Sequence, residues 1–424
     1  MAHRPLQLNP LAVLTALAAL AAPAAAGVWT VGPSGADFTQ IGAAVAAARD
    51  GDLILVEPSG GAPYAAFTID GKSLAISIAH AGDVVEVRGV VVKNLAAGQS
   101  VTVRGFLMPV EDVFSLSSGA QVLQCAGAVR LEDCTISGSS SGQLGVGGMP
   151  AVDVSQSADV GLTHCTLQAG YGASSATNDW DASSGGPGLR LSAATAWVHE
   201  SELRGGNGGN HDDPDPQPGG NSQCGHGGPG ALLLGGSTLT LAGSTLVGGE
   251  GGAQVVNLSW SLGGPGVTVS TGSLLRERDN TYLPGDGTMP HTATPEILGG
   301  PAGVLTLHPP SRELLTASPL RAGGTASFLL IGDNGDLNVA PTGIVAKGQW
   351  HQAFAGPLLI DPQGLTLLGL GVTPASGQLQ LSFTVPPLPA SLDHLEVHMQ
   401  LATVHDGVVT LENGSTIVLL DSAF

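Results

Sequence analysis

One repeated motif constrains the fold of this chain more than any other feature. Three copies read Gly-Gly-Pro-Gly, a fourth reads Gly-Gly-Met-Pro, and a small or polar residue follows each proline after 14 or 15 residues. The pairs are Pro150 and Cys165, Pro187 and Ser201, Pro229 and Ser244, and Pro265 and Asn280. A core of about 21 residues that is repeated with inserts of varying length is the signature of a solenoid. Because one unit cannot bury its apolar face alone, we expect the copies to stack.

The apolar residues within each copy indicate strands. They alternate with other residues over short runs, as in Leu189 with Leu191 and Leu239 with Leu241, and this period of two is typical of half-buried β-strands. The chain has 64 Gly among 424 residues, yet 42% of its residues are hydrophobic, so it can fill a core. Only 4% of the residues are aromatic, which suits a narrow solenoid interior.

The sequence before the first plain coil has the pattern of a cap. Asp37, with Gln40 three residues later, matches a capping box, and Gly51 is suited to end the helix. The apolar residues on one face of this predicted helix are Phe38, Ile41, Val45 and Ala48. The apolar strand 53–56 follows. A helix with one apolar face fits a lid over the first coil, whose core and strand edge would otherwise be exposed.

Residues 36–58, with the strand-like runs 67–69 and 74–76, resemble the opening of secreted bacterial proteins of the pectin-lyase-like superfamily. The resemblance extends over about residues 28–285. It implies an all-β, right-handed parallel β-helix with an N-terminal capping helix. The superfamily contains lyases, hydrolases, esterases and adhesins, so the resemblance does not fix an activity.

The pattern divides the chain into four parts. Residues 1–26 have a positive start, an apolar run and a small-residue end, which predicts a signal peptide and export. The β-helix is predicted over 27–285 and a linker over 286–301. Residues 302–424 contain about eight strand-like runs separated by Pro, Gly and Asp turns, which predicts a C-terminal antiparallel β-sandwich. No second apolar stretch is long enough to span a membrane, so we expect no membrane span in the mature chain.

Gly-rich excursions leave between the repeat cores at about 171–186, 207–228 and 250–264. Because the repeats are in register, we expect the excursions to emerge along one edge and to form a single displayed surface. Loops held on a rigid scaffold are where function usually lies.

The second excursion is the densest polar segment. Asp212, Asp213 and His226 are candidate catalytic residues, because Gly225-His226-Gly227 and the paired aspartates resemble elements of polygalacturonase-type hydrolases, where carboxylates protonate the leaving oxygen and activate water. The spacing departs from that family, because all three residues lie in one excursion. Alternatively, Asp212, Asp213 and Asp215 offer oxygen ligands for Ca²⁺. A Zn²⁺ site at His211, Cys224 and His226, or a merely solvated loop, are the other readings.

Aromatic residues in the excursions are candidate ligand-binding residues. Tyr171 and Trp180 lie in the first excursion and Trp260 in the third. Sugar rings stack on such faces, and Asp179 and Asp181 could accept hydrogen bonds from sugar hydroxyls. The alternative is that each ring packs against its own loop.

Four cysteines remain: Cys125, Cys134, Cys165 and Cys224. Cys134 and Cys165 occupy equivalent positions in adjacent repeats. Stacked strands are about 4.8 Å apart, close enough for a disulfide. The alternative, which we favour, is a ladder of small buried residues shared with Ser201, Ser244 and Asn280. The sequence does not decide the disulfide state.

Charge and pattern together favour a display protein, by which we mean a protein that presents its Gly-rich loops for binding and catalyses no reaction. The net charge of −20 would repel a polyanion, so we do not expect a nucleic-acid partner. We expect an exported, non-enzymatic protein, extracellular or at the cell surface with the periplasm as an alternative, whose Gly-rich loops serve adhesion or bind a polysaccharide or cell-envelope glycan. The alternatives are a polysaccharide lyase or glycoside hydrolase, and a purely structural envelope scaffold. The oligomeric state is left open.

Overall fold

The computed structural model describes residues 26–109, 117–143, 145–175, 181–211, 223–253, 261–287, 296–299, 304–306, 313–316, 319–351, 356–385, 387–388, 392–405 and 407–421. These residues form 35 strands and one short helix, so the described chain is all-β, as the repeat pattern predicts. The first 25 strands belong to three long parallel sheets.

The three sheets share one strand order, and each coil contributes to them in turn. The long sheet contains β1 (Val28–Val31), β2 (Asp52–Val56), β4 (Leu74–Ile78), β7 (Ser100–Arg104), β10 (Ala128–Glu132), β13 (Asp159–Thr163), β16 (Thr195–His199), β19 (Thr238–Ala242), β22 (Leu274–Arg278) and β25 (Val304–Thr306). The eight-stranded sheet contains β3 (Phe67–Asp70), β6 (Val90–Lys93), β9 (Ala120–Leu123), β12 (Val152–Ser155), β15 (Leu189–Ser192), β18 (Ala231–Leu234), β21 (Val267–Val269) and β24 (Ile297–Leu298). The seven-stranded sheet contains β5 (Val85–Glu86), β8 (Phe106–Met108), β11 (Thr135–Ser137), β14 (Thr166–Gln168), β17 (Glu202–Arg204), β20 (Thr245–Val247) and β23 (Thr281–Leu283).

Each full coil passes through the eight-stranded, the long and the seven-stranded sheet in that order, as β15, β16 and β17 do. Every strand pairs in parallel with its equivalent in the next coil; Val129, for example, lies between Val101 and Val160. This arrangement is consistent with the predicted parallel β-helix. The parallel sheets continue beyond residue 285 through β24 and β25.

The interior of the coils is a stack of aliphatic side chains. One level of the long sheet is formed by Val101, Val129, Val160, Ala196 and Leu239, all fully buried. Full burial of one Val or Leu side chain stabilises a fold by about 1.5–3 kcal/mol, and the stack repeats this contribution in each coil. The alternating pattern of the sequence is therefore the pattern of this core.

The predicted N-terminal helix is present but begins later than its capping signal indicates. Helix α1 spans Ile41–Ala47, its N-cap is Gln40 with no side-chain cap, and Ile41, Ala44 and Val45 pack on the core. The Asp37 carboxylate instead accepts hydrogen bonds from the N–H and the hydroxyl of Thr30, over 2.9 and 2.8 Å. Asp37 is therefore not the cap, because a strand competes for its side chain.

One residue per coil has left-handed backbone at the corner between the long and the seven-stranded sheet. Its φ is 52° at Asp133, 52° at His164 and 45° at Glu200. The next residue is buried and donates from its side chain to the carbonyl two residues earlier; these residues are Cys134, Cys165, Ser201 and Ser244. The Cys165 N–H also bonds Ser201 Oγ over 3.0 Å. All four cysteines are free and buried, so this position is a ladder and not a disulfide.

The C-terminal residues form three further sheets. A three-stranded antiparallel sheet contains β26 (Glu313–Thr316), β28 (Thr325–Ile331) and β33 (Gln378–Thr384). A five-stranded mixed sheet contains β27 (Leu320–Arg321), β29 (Leu337–Gly343), β32 (Thr366–Val372), β34 (His394–His405) and β35 (Val408–Leu420). A hairpin is formed by β30 (Ala346–His351) and β31 (Gly356–Ile360).

The mixed sheet covers part of the outer face of the long sheet, and we call this contact the seam. The Arg104 guanidinium donates to the Thr416 carbonyl over 2.5 Å, and the Glu132 carboxylate accepts from the Thr416 hydroxyl over 2.7 Å. Apolar contacts join Leu53 and Leu55 to Val418 and Leu420. Strands β2, β4, β10 and β13 are buried along their whole length for this reason, because each is covered on both faces.

Candidate functional site in the glycine-rich arms

The Gly-rich excursions leave and return at one corner of the coils. Outgoing arms 169–175, 205–211 and 248–253 follow strands of the seven-stranded sheet, and returning arms 182–187, 223–228 and 261–264 lead into the eight-stranded sheet. These six arms form an ordered body that we call the glycine layer. Its arms have no strand assignment, yet their backbones are extensively hydrogen-bonded to one another.

The hydrogen bonds of the glycine layer repeat every third residue. In the second outgoing arm, the N–H groups of Gly208 and His211 donate to carbonyls of the third outgoing arm, and that of Gly205 donates to the carbonyl of Val247, the last residue of β20 directly before that arm. The N–H groups of Gly206 and Gly209 donate instead to carbonyls of the first returning arm. A period of three without bonds inside the segment is the geometry of a polyproline-II-type helix. The arms are therefore extended helices whose backbone bonds go to neighbouring segments and not within the arm.

Glycine is required in this layer because the backbones touch. A Cβ atom on Gly206 would lie 1.9 Å from the Gly170 carbonyl oxygen, and one on Gly249 would lie 2.0 Å from that of Gly206. Neither glycine has the positive φ that would by itself select glycine. The repeated glycines are thus explained by close packing between arms, and not by flexibility or turn geometry.

Side chains on the outgoing arms bond the next coil. The Asn207 Oδ1 atom accepts from the Glu250 N–H, and Asn210 Oδ1 accepts from the Ala253 N–H, each over 2.9 Å. Ser140 Oγ accepts from the Tyr171 N–H in the same way over 3.0 Å. Polar side chains thereby extend the backbone network across the exposed side of the layer.

The structure places some of the predicted ligand-binding residues on this layer. Tyr171 lies on the first outgoing arm with 49% of its surface exposed. Asp181 is exposed and its Oδ1 accepts from the Gln223 N–H over 2.7 Å, which joins the first and second returning arms. Asp179, Trp180 and Trp260 lie outside the described residues, so their predicted role stays a prediction.

The predicted catalytic and metal residues are only partly described. Asp212, Asp213 and Asp215 lie outside the described residues. His226 is exposed and its Nδ1 accepts from the Leu262 N–H over 3.0 Å, whereas His211 and Cys224 are buried. Within the part of the chain that the structure describes, the set of three metal-ligating side chains that converges lies elsewhere, so the alternative Zn²⁺ set of His211, Cys224 and His226 is not brought together.

A charged corner, which the sequence reading missed, runs beside the ladder on four successive coils. Arg104 Nε lies 2.8 Å from Asp133 Oδ2, His164 Nδ1 lies 3.6 Å from Asp133 Oδ1, and His164 Nε2 lies 2.9 Å from Glu200 Oε2. Burial raises the pKa of Asp133, but its hydrogen bond with His164 and the Arg104 charge outweigh burial and lower it. Each of Asp133, His164 and Glu200 stands directly before a ladder residue, at the left-handed position of its coil.

The charged corner does not have the geometry of a glycosidase pair. Asp133 and Glu200 lie two coils apart, which is about 10 Å at the usual strand spacing. A hydrolase needs space for water or sugar between its carboxylates, and here the His164 imidazole fills that space. The corner is therefore best understood as an ion-pair ladder that fixes the turns.

A small cavity with both charged and apolar lining residues lies in the seam. Its lining includes Arg130, Glu132, Trp197, His199 and His398, and its volume is about 20 Å³. That volume holds about one water molecule and excludes a sugar ring. Burial lowers the pKa of both His199 and His398 to about 3, so both imidazoles are neutral near pH 7. This cavity belongs to the packing of the seam.

Comparison with models of known protein families gives no match, and a search of curated proteins finds no significant relative. Within the residues that the structure describes, no helix has the length and hydropathy needed to cross a membrane.

Proposed function

We propose that this chain is an exported, non-enzymatic display protein, extracellular or at the cell surface, that adheres to or binds a polysaccharide or cell-envelope glycan through the glycine layer. The single observation that carries this proposal is the three-residue hydrogen-bond period of the layer. A network of this kind holds loop segments on a rigid base, and rigid positioning lowers the entropy that binding costs.

The layer holds the ends of three tip segments side by side. Ser175 and His211 form a parallel bridge at the end of their outgoing arms, and the His211 N–H bonds the Ala253 carbonyl of the third arm. The Asp181 carboxylate joins the starts of the first two returning arms. Residues 176–180, 212–222 and 254–260 connect these ends along the chain and lie outside the described residues. They contain the candidates Trp180, Trp260, Asp212, Asp213 and Asp215.

The chemistry of the described acidic residues supports a non-enzymatic function. The carboxylates of the charged corner are held by Arg104 and His164, and the seam cavity has room for about one water. Binding of a neutral glycan needs none of these groups. It needs exposed aromatic faces and hydrogen-bond acceptors, which Tyr171 and Asp181 offer on the layer itself.

We also propose the finer fold assignment, a right-handed parallel β-helix of the pectin-lyase-like superfamily followed by a C-terminal β-sandwich. The one observation in favour of the sandwich is a shared core. Phe328 and Leu330 of the three-stranded sheet pack in one cluster with Val397, Met399 and Ile417 of the mixed sheet. Side chains from two sheets that meet in one core are typical of sandwiches.

The test is retention of residues 27–424 on a panel of insoluble neutral and acidic glycans, with and without Ca²⁺. We expect retention by at least one glycan that falls at least tenfold in Trp180→Ala or Tyr171→Ala. The matched control is Leu337→Ala, which truncates an exposed side chain of the C-terminal sheets. Retention that is equal in all variants, or no retention at all, would contradict the proposal.

The same samples test the competing enzyme. New reducing ends or unsaturated, ultraviolet-absorbing products would be followed during the incubation. Product formation that is lost on chelation, or in the double variant Asp212→Ala with Asp213→Ala, would replace display with catalysis at the second tip.

A further inference from the structure

A second candidate site lies far from the glycine layer, at one end of the C-terminal sheets. Asp333 and Asp336 are in the turn between β28 and β29, and His405 is the last residue of β34. One ligand atom from each of the three side chains can be chosen so that all lie within 4.8 Å of one another. The strand pairing between β29 and β34 brings the turn and the strand end together.

The site combines a buried carboxylate with exposed neighbours. The Asp336 side chain is fully buried, whereas that of His405 is 41% exposed and Asp333 is exposed. Asp336 Oδ1 lies 2.5 Å from His405 Nδ1, and Asp336 Oδ2 accepts from the Asp333 N–H over 2.9 Å. The buried carboxylate is thus held in place beside two groups that are themselves exposed to solvent.

A buried oxygen beside the cluster has no hydrogen-bond partner. Asn338 is fully buried, and its Nδ2 donates to the Asp336 carbonyl over 2.9 Å and to Thr373 Oγ1 over 2.8 Å. These bonds hold the carboxamide against Asp336 and leave Asn338 Oδ1 without a partner. A buried polar atom is normally satisfied, so the site has an acceptor for a bound water.

We propose that Asp333, Asp336 and His405 bind one divalent transition-metal ion, of which Zn²⁺ fits best. Zn²⁺ accepts imidazole nitrogen and carboxylate oxygen and often takes three protein ligands with a water in the fourth position. Ca²⁺ selects oxygen ligands alone, so an imidazole argues against it. A metal-bound water within reach of Asn338 Oδ1 would satisfy this buried acceptor. This proposal is independent of the glycan-binding proposal.

Binding requires a proton to leave and a small rotation of side chains. The His405 Nδ1 atom that faces Asp336 must present a lone pair to the metal, so any proton on it goes to solvent or to Nε2. Tetrahedral ligands at about 2.0–2.2 Å from Zn²⁺ are roughly 3.3 Å apart, which is within the span of this cluster. The metal would tie the β28–β29 turn to the end of β34.

The experiment is a Zn²⁺ titration of residues 27–424 after treatment with a chelator. Calorimetry is expected to give one tight site per chain. With Co²⁺ in place of Zn²⁺, the visible absorption spectrum is expected to indicate that one of the metal ligands is a nitrogen atom. His405→Gln and Asp333→Asn should each weaken affinity at least tenfold. Asp333 is exposed, so its variant should still fold, which far-ultraviolet circular dichroism of the metal-free protein would check.

The matched controls are His226→Gln and Asp286→Asn, which change exposed residues of the glycine layer and its surroundings. We expect both controls to bind Zn²⁺ as the unmodified chain does. Binding that persists in His405→Gln and Asp333→Asn, loss of the tight site in His226→Gln, or no tight site in the unmodified chain would each overturn the proposal.

Discussion

Arg278 of the last full coil and Glu412 of β35 form a buried ion pair across the seam. The Arg278 Nη2 atom lies 2.7 Å from Glu412 Oε2, and the two side chains are only 3% and 0% exposed. The Arg278 Nη1 atom also donates to the Leu411 carbonyl over 3.2 Å, and Thr403 donates to the second Glu412 oxygen. The long parallel sheet and the mixed sheet are therefore joined by two buried charges, each of which compensates the other.

We predict that Arg278→Met destabilises the protein by about 3–5 kcal/mol, because it leaves the Glu412 charge buried without its partner. The double variant Arg278→Met with Glu412→Leu should recover most of this loss, since it removes both charges. Urea unfolding measures both values. Arg204→Ala, which breaks an exposed pair with Glu202, is the control and should change stability by less than about 1 kcal/mol. A double variant as unstable as the single one would contradict the prediction.

We predict that Gly206→Ala disrupts the glycine layer. Its Cβ would lie 1.9 Å from the Gly170 carbonyl oxygen, and backbone on both sides prevents a small shift. The expected loss is about 1–3 kcal/mol or more, as for other overpacked sites. Hydrogen exchange should speed up at Gly228 and Gly206, whose N–H groups bond within the layer. Gly61→Ala, where nothing lies within 4 Å, is the control, and equal exchange in both variants would exclude close packing as the reason for glycine.

We predict that Glu396 makes the seam lose stability as pH rises from about 4.5 to neutral. Burial and the nearby Glu132 charge raise its pKa to about 7, and the nearby Thr102 hydroxyl only partly opposes them. Because the folded-state pKa lies above the unfolded value, the stabilisation is complete below about pH 4.5 and is lost as pH rises through 7. The loss is about 3 kcal/mol at most.

Glu396→Gln should abolish this loss, and urea unfolding at pH 5 and pH 8 would show it. The two neutral histidines of the seam, His199 and His398, titrate in the opposite sense, and their stabilisation is lost as pH falls from 6.5 towards 3. The comparison is therefore made between the variant and the unmodified chain at each pH. Identical pH dependence in both proteins would show that Glu396 does not carry the effect.

We predict that Cys165→Ser is tolerated, with a loss of less than about 1 kcal/mol. Ser201 and Ser244 occupy the equivalent positions, and each donates to the carbonyl two residues earlier. Cys165→Leu should cost about 1–3 kcal/mol because it overpacks the ladder. Thermal unfolding compares the two variants.

In the folded protein the thiols should also resist alkylation, since burial raises the pKa of Cys134 to about 12. Rapid labelling without denaturant would contradict this.

Several local features could be predicted from the sequence because they repeat. The 14- or 15-residue offset from each proline marks the ladder residue, and Cys165, Ser201 and Ser244 do occupy one ladder. The alternating apolar runs predict strands whose apolar side chains are buried, as Leu189 and Leu191 are. These predictions succeeded because one coil makes the same local contacts as the next.

Other features could not be predicted because their partners are distant in sequence. Arg278 bonds Glu412 and Arg104 bonds Thr416 across sequence separations of 134 and 312 residues. His164 shows no local signal for Asp133 and Glu200, which lie 31 and 36 residues away. Asp333 and His405 meet only because β29 and β34 pair.

By itself the sequence determined the repeat, the β-strand structure of each repeat and the edge from which the excursions leave, because each depends on periodicity within a coil. The tertiary structure alone decided why the excursions are rich in glycine, which charges are buried in the seam and which side chains converge. Those outcomes depend on how closely backbones approach and on which distant side chains replace water. The free energy of those contacts is a property of the packed chain, and no single repeat contains it.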